Sequence, residues 1–287
     1  MKLRTSWMKA TVVAGVAALT LAGCGGDSDT GEEVASPTET GGAAAEDFGL
    51  MDPEQLTVGM NLQFEPQMYL DGGEPAGYDV ELLEMLAEDM GVELDIQNLD
   101  FNGLIPGLQS KKFDMVSVGL SDTPERREAV DFTRGYVPYV QILGVPVDTT
   151  TDASLEAYDA ADKTITALQG STGEKLAAET FPKAKQATFP DQNAALLEVA
   201  TGRADGVVVE NYLLAQFDKS NPGLLKEAEL PEPLALAYGS YAVQKDNTAL
   251  VEYLDGWLCE QQSDDTLAST YEQVFGVEEA PEYPEGC

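Results

Sequence analysis

MVSVGLSDTPERREAVDFT, residues 115–133, opens as an apolar run of strand length and closes as a helix start. Residues 115–118 form the strand, and Gly119 permits a turn. Thr123 then stands where a hydroxyl caps free backbone N–H groups, with Pro124 at the first helical position. A strand that turns into a capped helix is the repeating unit of an α/β sheet. Arg126 and Arg127 follow at once, near the positive end of the helix dipole, an unfavourable place for a cation. Successive helix positions point about 100° apart, so the two do not share one target. Arg126 either lies in solvent or holds an anion, and a small carboxylate is the functional reading.

The same rhythm extends on both sides. Upstream, residues 56–60 read as a strand and 78–90 carry apolar residues at helical spacing, with Gly91 to end the helix. Residues 92–96 alternate like a strand, and 104–110 start another helix. Downstream, 140–147 is a long extended apolar run ending near Pro146. The rhythm then restarts with strands at 163–168, 186–189 and 206–209 and helices at 174–180 and 194–200. A second extended run, 234–243, follows Pro231 and Pro233, and two helices, 249–260 and 266–275, complete the chain. GLIPGLQSKKFDMVSV (from Gly103) and ALLEVATGRADGVVV (from Ala195) share a plan of helix, turn, aspartate and buried strand, with Asp114 and Asp205 in matching places. Two mainly parallel α/β lobes joined by two extended crossings leave a cleft, and ligands of open α/β sheets sit beyond the carboxyl ends of the strands.

The chain has 287 residues, 16 Lys plus Arg against 51 Asp plus Glu, and a net charge of −35. Such a surface repels nucleic acid phosphates and anionic lipid headgroups. There is no histidine, which removes the usual general base, the Ser-His pair and the commonest metal ligand. No catalytic residue, metal site or cofactor is expected. Lys2, Arg4 and Lys9 precede an apolar run at 10–22 that is short for a membrane span. The run ends in Leu21-Ala22-Gly23-Cys24, which looks like a lipobox. Residues 1–23 are therefore expected to be a lipoprotein signal peptide and Cys24 the lipidated residue. Residues 24–52, acidic and poor in large apolar side chains, read as a disordered tether. Cys259 and Cys287 remain; in an oxidising compartment they form a disulfide, the alternative being two free thiols.

The ordered motifs resemble the amino-acid-type (family 3) extracytoplasmic solute-binding proteins of bacterial ABC importers. They are Val58-Gly59, Gly77-Tyr78-Asp79-Val80-Glu81-Leu82, Gly103-Leu104-Ile105-Pro106-Gly107-Leu108, Phe113-Asp114, Thr123-Pro124-Glu125-Arg126, Asp131-Phe132-Thr133, Gln169-Gly170-Ser171-Thr172 and Gly202-Arg203-Ala204-Asp205. The resemblance implies a periplasmic-binding-protein-like fold of type II. Lobe 1 is expected at 53–140 and 238–287, lobe 2 at 141–237, with hinges near 139–142 and 237–241. It further implies that Arg126 grips a ligand α-carboxylate, with Ser121 and the backbone at Gly119 beside it. Ser171 and Thr172, at a helix start in the second lobe, either cap the helix, bind the ligand, or do both. Glu210 stands where the family has an aspartate for the ligand ammonium; as the longer acid it meets that group or lies exposed.

The first loop departs from the family pattern. Phe64 stacks on a ligand side chain or joins the core, as does Met68. Gln67 replaces a second aromatic and Asn61 an acid, which points away from lysine and arginine toward a polar or neutral amino acid. The implied function is capture of an amino-acid-like solute in the cleft and delivery to an ABC transporter permease. The protein would be a monomer outside the cytoplasm, held to the membrane through lipid alone, with no nucleic acid partner. A dehydratase-like enzyme on the same fold and a free-standing ligand sensor are the alternatives.

Overall fold

The computed structural model describes residues 47–150 and 154–287. The signal peptide, Cys24 and most of the tether lie outside the described residues. The body begins slightly earlier than residue 53. The Phe48 ring packs on Tyr253 with centroids 4.5 Å apart, and the Met51 N–H donates to Asp114 Oδ1 at 2.7 Å.

The first βαβ pass is β1 (Gln55–Met60), α1 (Tyr78–Met90), β5 (Glu93–Asn98), α2 (Leu104–Gln109) and β6 (Met115–Ser121). Between β1 and α1 lies a small antiparallel sheet of β2 (Gln63–Phe64), β3 (Met68–Asp71) and β4 (Glu74–Ala76). α1 ends as read: Gly91 is left-handed, and its N–H closes back onto the helix. One turn of helix, α3 (Pro124–Arg127), leads into β7 (Val130–Pro146), a strand of 17 residues. The second pass follows α4 (Leu155–Tyr158) with β8 (Thr164–Leu168), α5 (Thr172–Thr180), β9 (Lys185–Phe189), α6 (Gln192–Ala200) and β10 (Gly206–Glu210). α7 (Asn211–Ser220), β11 (Leu225–Glu227), β12 (Ala235–Gln244), α8 (Thr248–Ser263) and α9 (Thr266–Phe275) complete the chain.

The main sheet runs β5-β1-β6-β12-β7-β10-β8-β9, with β11 beside β7. β5-β1-β6 are parallel, and so are β10-β8-β9. β7 and β12 pair antiparallel along their length and belong to both halves, so the expected extended crossings are two strands of one ladder. Of the two apolar clusters, the larger runs through both halves and takes in Leu196, Val207 and Phe217 of the second, and the smaller lies in the second half alone. Leu56, Val58, Leu82, Leu86 and Val116 are fully buried in one, while Leu143, Ile165, Ala177, Phe181 and Val208 pack in the other. No helix among the described residues is long and apolar enough to cross a membrane.

The internal echo is structural. Thr57 N–H donates to Asp114 Oδ2 at 3.0 Å while Asp114 N–H donates to Thr57 O at 2.8 Å. Thr164 N–H donates to Asp205 Oδ2 and Asp205 N–H to Thr164 O, both at 2.8 Å. In each half the aspartate closes the start of one parallel strand onto the turn before the next.

Two expectations change. Gly119 does not turn the chain: it sits at φ +58° inside β6, which continues to Ser121. The helix after Thr123 is a single turn, too short for its dipole to govern the arginines. The Cys259 and Cys287 thiols are both free, and they lie in hydrogen-bonding contact with each other.

Candidate functional site

The carboxyl ends of β6, β8 and β10 converge on one narrow cavity, at the place where ligands of open α/β sheets sit. Phe64, Gly119, Ser121, Arg126, Ser171, Thr172 and Glu210 all stand in its wall. Asn61 and Gln67 do not. The Asn61 amide donates to Leu99 O at 2.6 Å and accepts from Gln63. Gln67 is fully buried behind Gly119 and Tyr139, bonded to Asp79 and two tyrosines. The pattern positions that led to these two residues therefore mark a supporting layer here.

Arg126 is placed by local chemistry. Thr123 Oγ1 accepts the Arg126 N–H at 3.3 Å and fixes the turn. The guanidinium then folds back, Nη1 donating to Ser121 O at 2.9 Å and Nη2 to Gly170 O, in the second half of the molecule, at 3.2 Å. It has no carboxylate partner among the described residues, and desolvation lowers its pKa to about 10. Arg127 is outside, paired with Asp122 at the surface. The two arginines part as the 100° step requires.

Gly119 has a steric reason to be glycine. Beyond its positive φ, a Cβ there would lie 1.5 Å from the Tyr139 hydroxyl, and one on Gly239 would lie 2.5 Å from Gly119 Cα. β6 and β12 touch here with nothing between them, which brings the Gly119 backbone to the cavity.

The opposite wall comes from β8, α5, β7 and β10. After β8 the chain turns at Gly170, φ +76°. Ser171 caps α5 by accepting from Glu174 N–H at 3.1 Å and donates its own hydroxyl to Leu168 O at 2.8 Å. Its side chain is thus engaged in the cap, and the free donors toward the cavity are those of the first helical turn. Thr172 Oγ1 accepts from Gln141 Nε2 at 3.1 Å, and the same nitrogen donates to Glu210 Oε1 at 3.2 Å. Glu210 lacks a cationic partner among the described residues, and desolvation raises its pKa despite the Gln141 bond. Arg126 and Glu210 are the only charged side chains in the wall, each desolvated and each without its counter-ion.

Apart from Gln192, the rest of the wall is aromatic and apolar. Phe64 meets Phe101 edge-on at 6.3 Å, and Tyr139 stacks with Tyr212 at 6.2 Å. Phe101, Tyr139, Gln192 and Tyr212 in the wall, and Gln141 behind Thr172 and Glu210, carry no ligand signal in the sequence. Tyr212 lies on α7, whose apolar spacing at Leu213, Leu214 and Phe217 was the available signal.

A cavity with one guanidinium and one carboxylate on opposite walls suits a small zwitterion. The family model of the bacterial extracellular solute-binding proteins, family 3, matches residues 56–277. The "ABC transporter arginine-binding protein 1" of Escherichia coli (strain K12) is 29% identical over 232 residues, which cover 79% of this chain and 93% of that protein. The solved structure of an ancestral arginine-binding protein bound to glutamine matches with TM-score 0.71 and 31% identity, covering 78% of this chain and 98% of that one. The ancestral amino acid-binding protein AncCDT-1, a precursor of cyclohexadienyl dehydratase, matches with TM-score 0.71 and 30% identity, over 77% and 96% of the two chains.

Proposed function

The chain belongs to the bacterial extracellular solute-binding proteins, family 3, and on that premise we propose that it captures a single amino acid between its lobes and delivers it to an ABC transporter. The observation that carries this reading is the pair of uncompensated charges. Arg126 takes the α-carboxylate, for which a guanidinium offers two parallel hydrogen bonds. Glu210 takes the α-ammonium, and the N–H groups at the start of α5 add donors to the carboxylate. Lobe 1 spans residues 53–140 and 238–287 and lobe 2 residues 141–237, hinged where β7 and β12 pass between them. The protein acts as a monomer and leaves its ligand chemically unchanged, the one acid of the wall serving the ammonium. Kinship with AncCDT-1 keeps a dehydratase as the alternative, and product formation from a bound compound would favour it.

A thermal-shift screen of the purified chain over amino acids tests the reading. One or more α-amino acids raise the melting temperature, and Arg126→Ala removes the shift for all of them. Tight binding that survives Arg126→Ala sinks the carboxylate clamp.

Two further features belong to the same proposal. Cys24 carries a lipid that holds the protein outside the cytoplasmic membrane. Cys259 and Cys287, already in contact, oxidise there and tie the C-terminal tail to α8. The intact mass of protein extracted from membranes checks both: it begins at Cys24 with added acyl mass and rises by two hydrogens on reduction. A mass that includes residues 1–23, or one unchanged by reductant, contradicts the corresponding feature.

A further inference from the structure

Gln192 is the first residue of α6, 3% exposed, in the wall of the ligand cavity. Its backbone is tied down, because its N–H donates to Gln63 Oε1 across the cleft at 2.8 Å. Asp191 caps the same helix by accepting from Ala194 N–H at 2.7 Å, so the residue cannot drift. Yet its side-chain Nε2 is buried with no hydrogen-bond partner. A buried amide N–H left unmade is rare and costs stability. The other glutamines around the site are engaged: Gln67 with Asp79 and two tyrosines, Gln141 with Thr172 and Glu210.

We propose that Gln192 is the specificity-determining residue of the site and that it donates to a hydrogen-bond acceptor on the ligand's side chain. The inference rests on the amino-acid reading above and deepens it. With Arg126 and Glu210 assigned to the α-carboxylate and α-ammonium, no charged residue of the wall remains for the side chain. A cationic side chain would then be buried without a counter-ion, which the interior penalises heavily. An aliphatic one would leave Nε2 unsatisfied. A neutral side chain bearing an oxygen acceptor, of the carboxamide, ureido or hydroxyl class, meets both constraints, and the Phe64–Phe101 pair offers it an apolar flank. Sites built to hydrogen-bond a substrate group reject analogues that lack it far more strongly than apolar pockets reject a missing methylene.

Calorimetry over the twenty amino acids plus citrulline, with wild type, Gln192→Leu, Gln192→Glu and Arg126→Ala, tests the assignment. The best wild-type ligand carries a neutral side chain with an oxygen acceptor. Gln192→Leu weakens that ligand by about tenfold or more while leaving L-leucine within about threefold. Gln192→Glu is isosteric, and it lowers affinity for the same ligand while raising L-arginine relative to it. A best ligand with a cationic or purely aliphatic side chain overturns the proposal, as does a Gln192→Leu loss that is equal for all ligands. Arg126→Ala separates the two levels. If it abolishes binding while Gln192 variants leave selectivity unchanged, only the Gln192 assignment falls. If binding survives it, or no amino acid binds the wild type, the capture reading fails and takes the assignment with it.

Discussion

Asp79 is fully buried beneath the cavity and serves as an acceptor for three side chains. Gln67 Nε2 donates to Oδ1 at 3.0 Å, Ser117 Oγ to Oδ2 at 2.7 Å, and the Tyr136 hydroxyl also to Oδ2. Tyr136 in turn accepts the Gly119 N–H at 3.1 Å, so the carboxylate orders the backbone that faces the cavity. Desolvation outweighs the three bonds and raises the Asp79 pKa to about 6. The sign follows: the folded protein holds this proton more tightly than the unfolded chain does. The group therefore adds stability as pH falls from about 6 toward about 4, and that gain is lost as pH rises through the folded value. Relative to an ordinary carboxyl the full gain is about 3 kcal/mol, of which about 1 kcal/mol accrues between pH 7 and pH 5. Urea unfolding of wild type and Asp79→Asn at both pH values isolates the term, since the repulsion among the other acids is common to both. Wild type gains about 1 kcal/mol more than the variant on going to pH 5, and parallel profiles would show that Asp79 does not titrate in this range.

At the scale of elements, physical periodicity decides what the sequence discloses. α1 and α9 were legible to the residue, because apolar positions recur at helical spacing and a glycine in the left-handed region closes each. The paired aspartates Asp114 and Asp205 were legible as an echo because both perform one task, and each makes the same reciprocal bond. The β2-β3-β4 sheet was not, since strands of two to four residues carry no measurable alternation. β7 begins ten residues before its apolar run: Asp131, Thr133 and Arg134 break the apolar pattern but are half-buried or buried partners of β12 and α8. Gly119 was read as a turn because positive φ and a tight approach to another backbone both demand glycine. Only the contact with Gly239 separates the two causes. The residues in and behind the cavity wall divide in the same way. Arg126, Glu210 and the Ser171-Thr172 turn sit at strand ends and helix starts that local signals mark. Gln192 and Gln141 are ordinary glutamines until tertiary packing buries them.

The contacts between the two halves of the sheet differ in worth. Arg126 reaches Gly170 O, Lys175 pairs with Glu125 at 2.7 Å, and Tyr212 donates to Gln67 Oε1 at 2.8 Å. The Lys175–Glu125 pair is largely exposed and contributes little. The Tyr212 bond is shielded from water, and Gln67 is positioned for it by Asp79, so a residue outside the cavity wall acts on closure through Tyr212. Opening the lobes exchanges this bond for one to water at a net cost of about 1 kcal/mol. A ligand shifts the lobes toward closure only by its differential affinity for the closed state, so weakening closure weakens binding by the same factor. Tyr212→Phe keeps the ring, its stack on Tyr139 and its edge contact with Phe275 at 5.4 Å, and removes the hydroxyl alone. The dissociation constant of the best ligand then rises about fivefold. The change lies in the off-rate, because the open protein that first meets the ligand does not make the bond. Stopped-flow fluorescence separates the two rates, and small-angle scattering at saturating ligand shows the variant closing to the wild-type radius. An unchanged off-rate would mean that the bond persists in the open form, placing Tyr212 and Gln67 on the same side of the hinge.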